Sequence, residues 1–150
     1  MSDTHGDRAL AQRALEAMGP VDLVVHAGDG YADAQALRAP AGTRVVAVAG
    51  NCDRGVPGAL EEVIEVEGVR ILVAHGHTYG VHRGLGLLLR RAAEVQAHVV
   101  LFGHTHLAGS RRLKGVLALN PGSVRFNPLG SSFAVLHLEG GRARPEIRRL

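Results

Sequence analysis

Five short polar blocks punctuate this chain, and all but the first close an apolar run. They are Ser2-Asp3-Thr4-His5-Gly6, Gly28-Asp29, Gly50-Asn51-Cys52-Asp53, His75-Gly76-His77 and Gly103-His104-Thr105-His106. An apolar run that ends in glycine beside Asp, Asn or His reads as a buried strand delivering a polar loop. Several such loops in order gather at one end of a sheet. Carboxylate, amide and imidazole donors are the ligands of borderline-hard divalent metals. Any one block alone would be an ordinary turn, because Asp and Asn favour turns and Gly follows them. All five in sequence suggest two metal ions, and hydrolysis of a phosphate ester is the leading reading.

Between the blocks the chain alternates two rhythms. Leu10, Ala14, Leu15 and Met18 fall on one face of a helix over 7–18, which Gly19-Pro20 stops. Val21 to His26 and Arg44 to Ala49 read as buried parallel strands around a short helix at Ala32 to Arg38. Val63 to Val66 and Val69 to Ala74 form a hairpin across Glu67-Gly68. The longest helix is expected over 81–96, weakened near its start by Gly84 and Gly86. Strands follow at His98 to Phe102 and Val116 to Leu119, and a closing hairpin spans Phe133 to Leu138 and Arg144 to Arg149. The pattern predicts an α/β fold of two packed sheets flanked by helices, with residues 1–150 as a single domain.

Composition narrows the functional classes. No apolar run is long enough to span a membrane, and no secretory signal is visible. The single Cys52 excludes an intramolecular disulfide and fits a cytoplasmic protein. The net charge of +3 rests almost wholly on scattered arginines, with Lys114 the only lysine. Aromatic residues make up 3% of the chain, too few for a stacking platform, so no specific nucleic-acid binding is expected.

Together the blocks resemble the calcineurin-like metallophosphoesterase superfamily, and most of all its small single-domain bacterial and archaeal phosphodiesterases. Asp-x-His, Gly-Asp, Gly-Asn-x-Asp, His and Gly-His-x-His occur here in that family's order, from Ser2 to about Ser123. The resemblance implies a two-sheet α/β sandwich and two divalent metals, manganese foremost, with iron, zinc or nickel as alternatives. It implies that Asp3, His5 and His106 bind the first ion, that Asn51, His75 and His104 bind the second, and that Asp29 bridges both. A small phosphodiester would then be attacked by a metal-bound hydroxide.

Many superfamily members carry His directly after the Asn of the third block, where this chain has Cys52. The commoner role of a free cysteine is a small buried filler, and a catalytic thiol is the sharper alternative. His77 divides between a phosphate contact and a plain loop histidine. His26 is expected beneath the site, Asp53 in support of the third loop, and Thr105 in hydrogen bonds behind the ligands. No motif claims His82, His98 or His137.

A non-catalytic protein-binding scaffold of the same fold is the alternative function. Scaffold members tend to lose ligands, and here every expected position holds a competent residue. Small members of the family often associate, so a homo-oligomer is a further expectation. In the family Asp3 would also close a first buried strand. Only Met1 and Ser2 precede it, so that strand is expected to be missing and Asp3 and His5 to sit on a frayed end.

Overall fold

The computed structural model describes residues 1–125, 128 and 130–150. Helix α1 (Arg8–Met18) starts where the Asp7 carboxylate accepts a 2.9 Å bond from the N–H of Leu10, and it ends at Gly19 with φ of 75°. Its buried face is Ala11, Ala14, Leu15 and Met18. Strands β1 (Leu23–His26) and β2 (Arg44–Ala47) pair in parallel around the short helix α2 (Tyr31–Gln35). Strands β3 (Glu61–Val66) and β4 (Val69–Ala74) form the expected hairpin. Glu67 and Gly68 both take positive φ there, as a tight two-residue turn requires.

Strands β5 (Val99–Leu101), β6 (Gly109–Leu113) and β7 (Val116–Asn120) complete a five-stranded sheet of order β3-β4-β5-β7-β6. The closing hairpin joins β8 (Ser132–Glu139) to β9 (Arg142–Arg149). One face of the five-stranded sheet packs Leu72, Val100 and Ala118 against Leu88 and Ala92 of α3 (Gly86–Glu94). Its other face packs Ile71, Val73, Val99 and Leu117 against Ala27 and Val48, with Leu136 and Leu138 of β8 alongside. The outer side of β1 and β8 is covered by α1 through Val24, Phe133 and Leu15. Each fully buried large side chain in these layers contributes about 1.5–3 kcal/mol. The α/β sandwich is therefore present, with one difference. Its second layer consists of two separate ladders, β1-β2 and β8-β9.

A cleft of about 1020 Å³ opens between these ladders, lined by Val25, Leu101, Val135 and Leu136 among others. Among the described residues no strand precedes α1. Even so, Asp3 does not lie on a frayed end. Its N–H donates to the Gly28 carbonyl at 3.0 Å, Ala27 N–H donates to Met1 O at 2.9 Å, and Val124 N–H donates to Ser2 O at 3.1 Å. These bonds wedge Met1 to Asp3 between β1 and the segment after β7, and Asp3 is fully buried.

Two further expectations need correction. The long helix over 81–96 is cut to Gly86–Glu94 because Gly84 takes φ of 140°, which no helix accommodates. A short 3₁₀ turn, His77–Tyr79, fills part of the space before it. Strand β6 is the element the pattern did not show. It is an edge strand with exposed Arg111 and Arg112, so it lacks an alternation of apolar residues. No helix among the described residues is long and apolar enough to cross a membrane.

Candidate metal centre

All five blocks meet at one end of the sandwich. The segment beside β1 brings Asp3 and His5, the loop after β1 brings Asp29, and the loop after β2 brings Asn51 and Cys52. The loop after β4 brings His75 and His77, and the loop after β5 brings His104 and His106. Three sets of donor atoms each lie within 4.8 Å of one another: Asp3, His5 and His106; His5, Asp29 and Cys52; Asp3, Asp29 and His75. Asp3, His5 and Asp29 each belong to two of the three.

Backbone conformation marks the same residues. Asp3, His5, Asp29, His104 and His106 all have φ between 48° and 68°. A non-glycine residue there costs on the order of 1–3 kcal/mol and persists only where its surroundings impose it. Outside the blocks, the described non-glycine residues with positive φ are Glu67, Gln96 and Lys114, at the ends of hairpin strands and of a helix. The glycines beside the ligands are needed for close approach. A Cβ on Gly28 would lie 2.6 Å from His75 Nδ1, and one on Gly50 would strike the Asp29 carboxylate.

The His75 ring is fully buried, and its Nδ1 lies 2.8 Å from the Ala27 carbonyl. Only an N–H can meet a carbonyl, so Nδ1 carries a proton and Nε2 faces the site. There Nε2 lies 3.2 Å from Asn51 Oδ1 and 3.4 Å from Asp29 Oδ2. Burial pushes the Asp29 carboxyl up, but His75 and the Cys52 backbone N–H, which donates at 2.8 Å, together hold it well below the usual range. Burial lowers the basicity of His75 itself, but the Asp29 contact, the Asp3 charge and the Ala27 carbonyl together outweigh it and raise it.

Asp3 is the mirror case. Burial raises its pKa, against the 2.5 Å bond from the Ser2 hydroxyl to Oδ2. Its other oxygen, Oδ1, is buried and has no hydrogen bond. His106 Nε2 stands 3.1 Å from that oxygen and His5 Nε2 3.9 Å, while the two imidazole nitrogens are 3.3 Å apart. An orphaned carboxylate oxygen faced by two imidazole nitrogens is the arrangement a divalent cation completes. The donors present therefore fit a metal.

His104 packs its ring 5.0 Å from His75 and 4.5 Å from His82. Burial and these neighbours lower its pKa to about 4, so it is neutral at physiological pH and free to donate a lone pair. His82, which no motif claims, is exposed, as expected of a surface histidine. It follows the 3₁₀ turn, and only the tertiary fold brings it back onto His104. His77 lies with its ring 5.4 Å from His75, at the edge of the cluster.

Cys52 is not a buried filler: it is exposed beside Asp29 and Asn51. The Asp29 carboxylate raises its thiol to about 11, so it is protonated at neutral pH. Asp53 supports the third loop as expected, accepting N–H bonds from Gly30, Tyr31 and Gly50. Tyr79 turns away from the site to donate to Glu61, which also receives Arg91. Arg54 is exposed.

Residues 1–141 match the model of the calcineurin-like phosphoesterase superfamily domain. The chain belongs to this superfamily. A relative within it, the probable metallophosphoesterase YsnB of Bacillus subtilis, is 38% identical over 146 residues, covering 95% of this chain and 85% of YsnB. Among solved structures, the calcineurin-like fold of this chain matches a novel archaeal phosphodiesterase with a TM-score of 0.74. Identity is 22%, and 99% of this chain and 97% of that one are covered. It also matches Vps29 of Chaetomium thermophilum with a TM-score of 0.77 at 19% identity, over 100% of this chain and 94% of that one.

Proposed function

We propose that this calcineurin-like chain is a metal-dependent phosphoesterase that hydrolyses small phosphodiesters with two divalent ions. Asp3, His5 and His106 would hold one ion, Asn51, His75 and His104 the other, and Asp29 would reach both. The observation that carries this reading is the convergence of orphaned Asp3 Oδ1, ionised Asp29 and outward-facing His75 Nε2 in one cluster. Oxygen donors mixed with imidazoles, and no protein thiolate at neutral pH, suit manganese or iron, with zinc and nickel as alternatives.

Two such ions supply Lewis acidity to a phosphate and make water a better nucleophile at neutral pH. The residues of the chain do the rest. Asp29 stays charged because His75 and the Cys52 N–H hold it so. The backbone bond to Ala27 fixes the tautomer and tilt of His75. His77, whose pKa burial lowers, stands as a neutral group at the rim within reach of a phosphate oxygen. A protonated Cys52 is a poor nucleophile and a weak acid, so the site suits esters whose leaving group departs without help.

Vps29 and an archaeal phosphodiesterase share this fold, so the fold alone does not carry the activity. What supports an enzyme over a protein-binding scaffold is the full set of competent donors. The test is a panel of phosphate mono- and diesters, offered to metal-stripped protein with manganese, nickel, zinc or magnesium. Turnover of a nitrophenyl diester with manganese is expected. Folded protein that cleaves nothing with any of the four metals leaves the scaffold reading in its place.

A further inference from the structure

Behind the ligands lies a buried polar device that the chemistry above does not use. Asp33, on α2, is 4% exposed although it is a carboxylate. Its Oδ2 accepts the Thr4 hydroxyl at 2.6 Å and the Gly6 backbone N–H at 2.8 Å. Thr4 and Gly6 are the two neighbours of His5. One carboxylate oxygen therefore brackets a residue whose φ is 48°. The Thr4 hydroxyl spends its proton on Asp33, so its oxygen accepts from His26 Nε2 at 3.1 Å. With Nε2 as the donor, His26 Nδ1 is a buried acceptor without a partner. Arg8 closes the arrangement from the surface, with Nε 3.5 Å from Asp33 Oδ1.

The fourth strand-end loop of the site repeats the pattern with different residues. The Asn120 amide nitrogen donates to Gly103 O at 3.0 Å and to the Thr105 hydroxyl at 3.0 Å. Gly103 and Thr105 are the two neighbours of His104, whose φ is 68°. Asn120 is 2% exposed and its own oxygen accepts the Gly122 N–H at 2.8 Å. In both places a buried side chain from a different element grips the residues on either side of a strained histidine.

We propose that Asp33 and Asn120 are the positioning residues of the site, each bracketing one left-handed histidine, His5 and His104, so that its ring is set before any ion arrives. This rests on the metal-site reading above. A left-handed histidine released from its bracket relaxes to negative φ, which swings the ring away from the site. Removing one bracket should therefore damage one ion position and spare the other.

The experiment uses the full chain, stripped of metal, with Mn²⁺ added and followed by calorimetry. Thr4→Val and Asp33→Asn should each weaken one of two Mn²⁺ sites, by roughly ten- to a hundred-fold, and leave the other near its original affinity. Thr4→Ser, which keeps the hydroxyl, should restore it. Unchanged affinity at both sites in Thr4→Val and Asp33→Asn, or equal loss at both, overturns the proposal. Long-range ¹H–¹⁵N spectra of the histidine rings in metal-free protein give a second, independent readout. His5 should be sharp in the original chain and in Thr4→Ser, and shifted or broadened in Thr4→Val, with His75 unchanged. An unaltered His5 signal in Thr4→Val also overturns it. If the original chain binds no Mn²⁺ at all, the metal reading fails, while the ring spectra still decide whether Asp33 positions His5.

Discussion

His106 Nε2 stands 3.1 Å from Asp3 Oδ1, an oxygen that is buried and accepts no hydrogen bond. Burial of an unsatisfied carboxylate oxygen costs about 1–3 kcal/mol unless a cation or a proton relieves it. Asp3→Asn should therefore bind Mn²⁺ at least ten-fold more weakly at one site, following the loss of a charged ligand. In the metal-free state the same variant should melt no lower than the original chain. Calorimetric titration and thermal melts in a chelator check the two halves. A large drop in metal-free melting temperature would contradict the account of Oδ1.

Asp29 and His75 should differ in what they remove. Asp29 is proposed to reach both ions, so Asp29→Ala should abolish paired binding and activity together. His75 borders one, so His75→Ala should leave at most one ion bound. Metal counted by atomic emission after dialysis gives the answer.

The Cys52 thiol, raised to about 11 by Asp29, should react slowly with iodoacetamide in the metal-free protein. The rate at pH about 8 should be roughly a hundred-fold below that of a free cysteine, although Cys52 is exposed. In Asp29→Asn it should recover much of that deficit. Cys52→Ala should keep most hydrolysis of a nitrophenyl diester. Complete inactivity of that variant would point to a catalytic thiol instead.

Glu61 predicts an acid limb of stability. Arg91 lowers its pKa most, against burial, and the Tyr79 hydroxyl helps. The folded value thus lies below the ordinary 4.5, so at low pH the unfolded chain binds more protons than the folded one. Stability from this cluster is complete above that ordinary value and is lost as pH falls through the folded one. Glu61→Gln should flatten the melting temperature against pH between about 6 and about 3. An unchanged slope would exclude Glu61 as a contributor.

Substitution by glycine should be milder than substitution by alanine at the strained residues proposed as ligands. Asp3, His5 and His106 have φ of 56°, 48° and 58°. Glycine adopts this conformation freely, whereas alanine bears about 1–2 kcal/mol of steric cost. Each glycine variant should outlast its alanine counterpart in metal-free urea unfolding by about 1 kcal/mol, with metal binding lost equally in both.

The parts of the molecule legible in the sequence were those encoded by adjacent residues. Asp3-Thr4-His5 and His104-Thr105-His106 announce themselves because ligands and their turn share one stretch of chain. The hairpin at Glu67-Gly68 and the buried strands did so for the same reason. The contacts of Asp33 with Thr4 and of His82 with His104 were not legible. Asp33 sits on a short helix among alanines, and only the crossing of α2 beneath the first loop brings it to Thr4. His82 reaches His104 because Gly84 stops the helix expected there, and a helix pattern cannot foretell a break set by one φ angle. Cys52 was misjudged because cysteine is buried more often than not, and its exposure here follows from the outward turn of the third loop.

The loops that carry the proposed ligands come from two different layers. Asp3, His5, Asp29 and Asn51 ride on the small ladder of β1 and β2, while His75, His104 and His106 ride on the five-stranded sheet. That ladder has its free edge on the cleft beside β8 and β9. Unlike β4 and β5, each of which is paired on both sides, β1 and β2 pair only with each other, so amide exchange there should report local opening sooner than in β4 or β5. An ion shared between the layers would tie the looser one to the firmer. Occupancy of the centre would then be readable far from it, as slowed exchange along Leu23–His26, in a molecule that need not turn over any substrate.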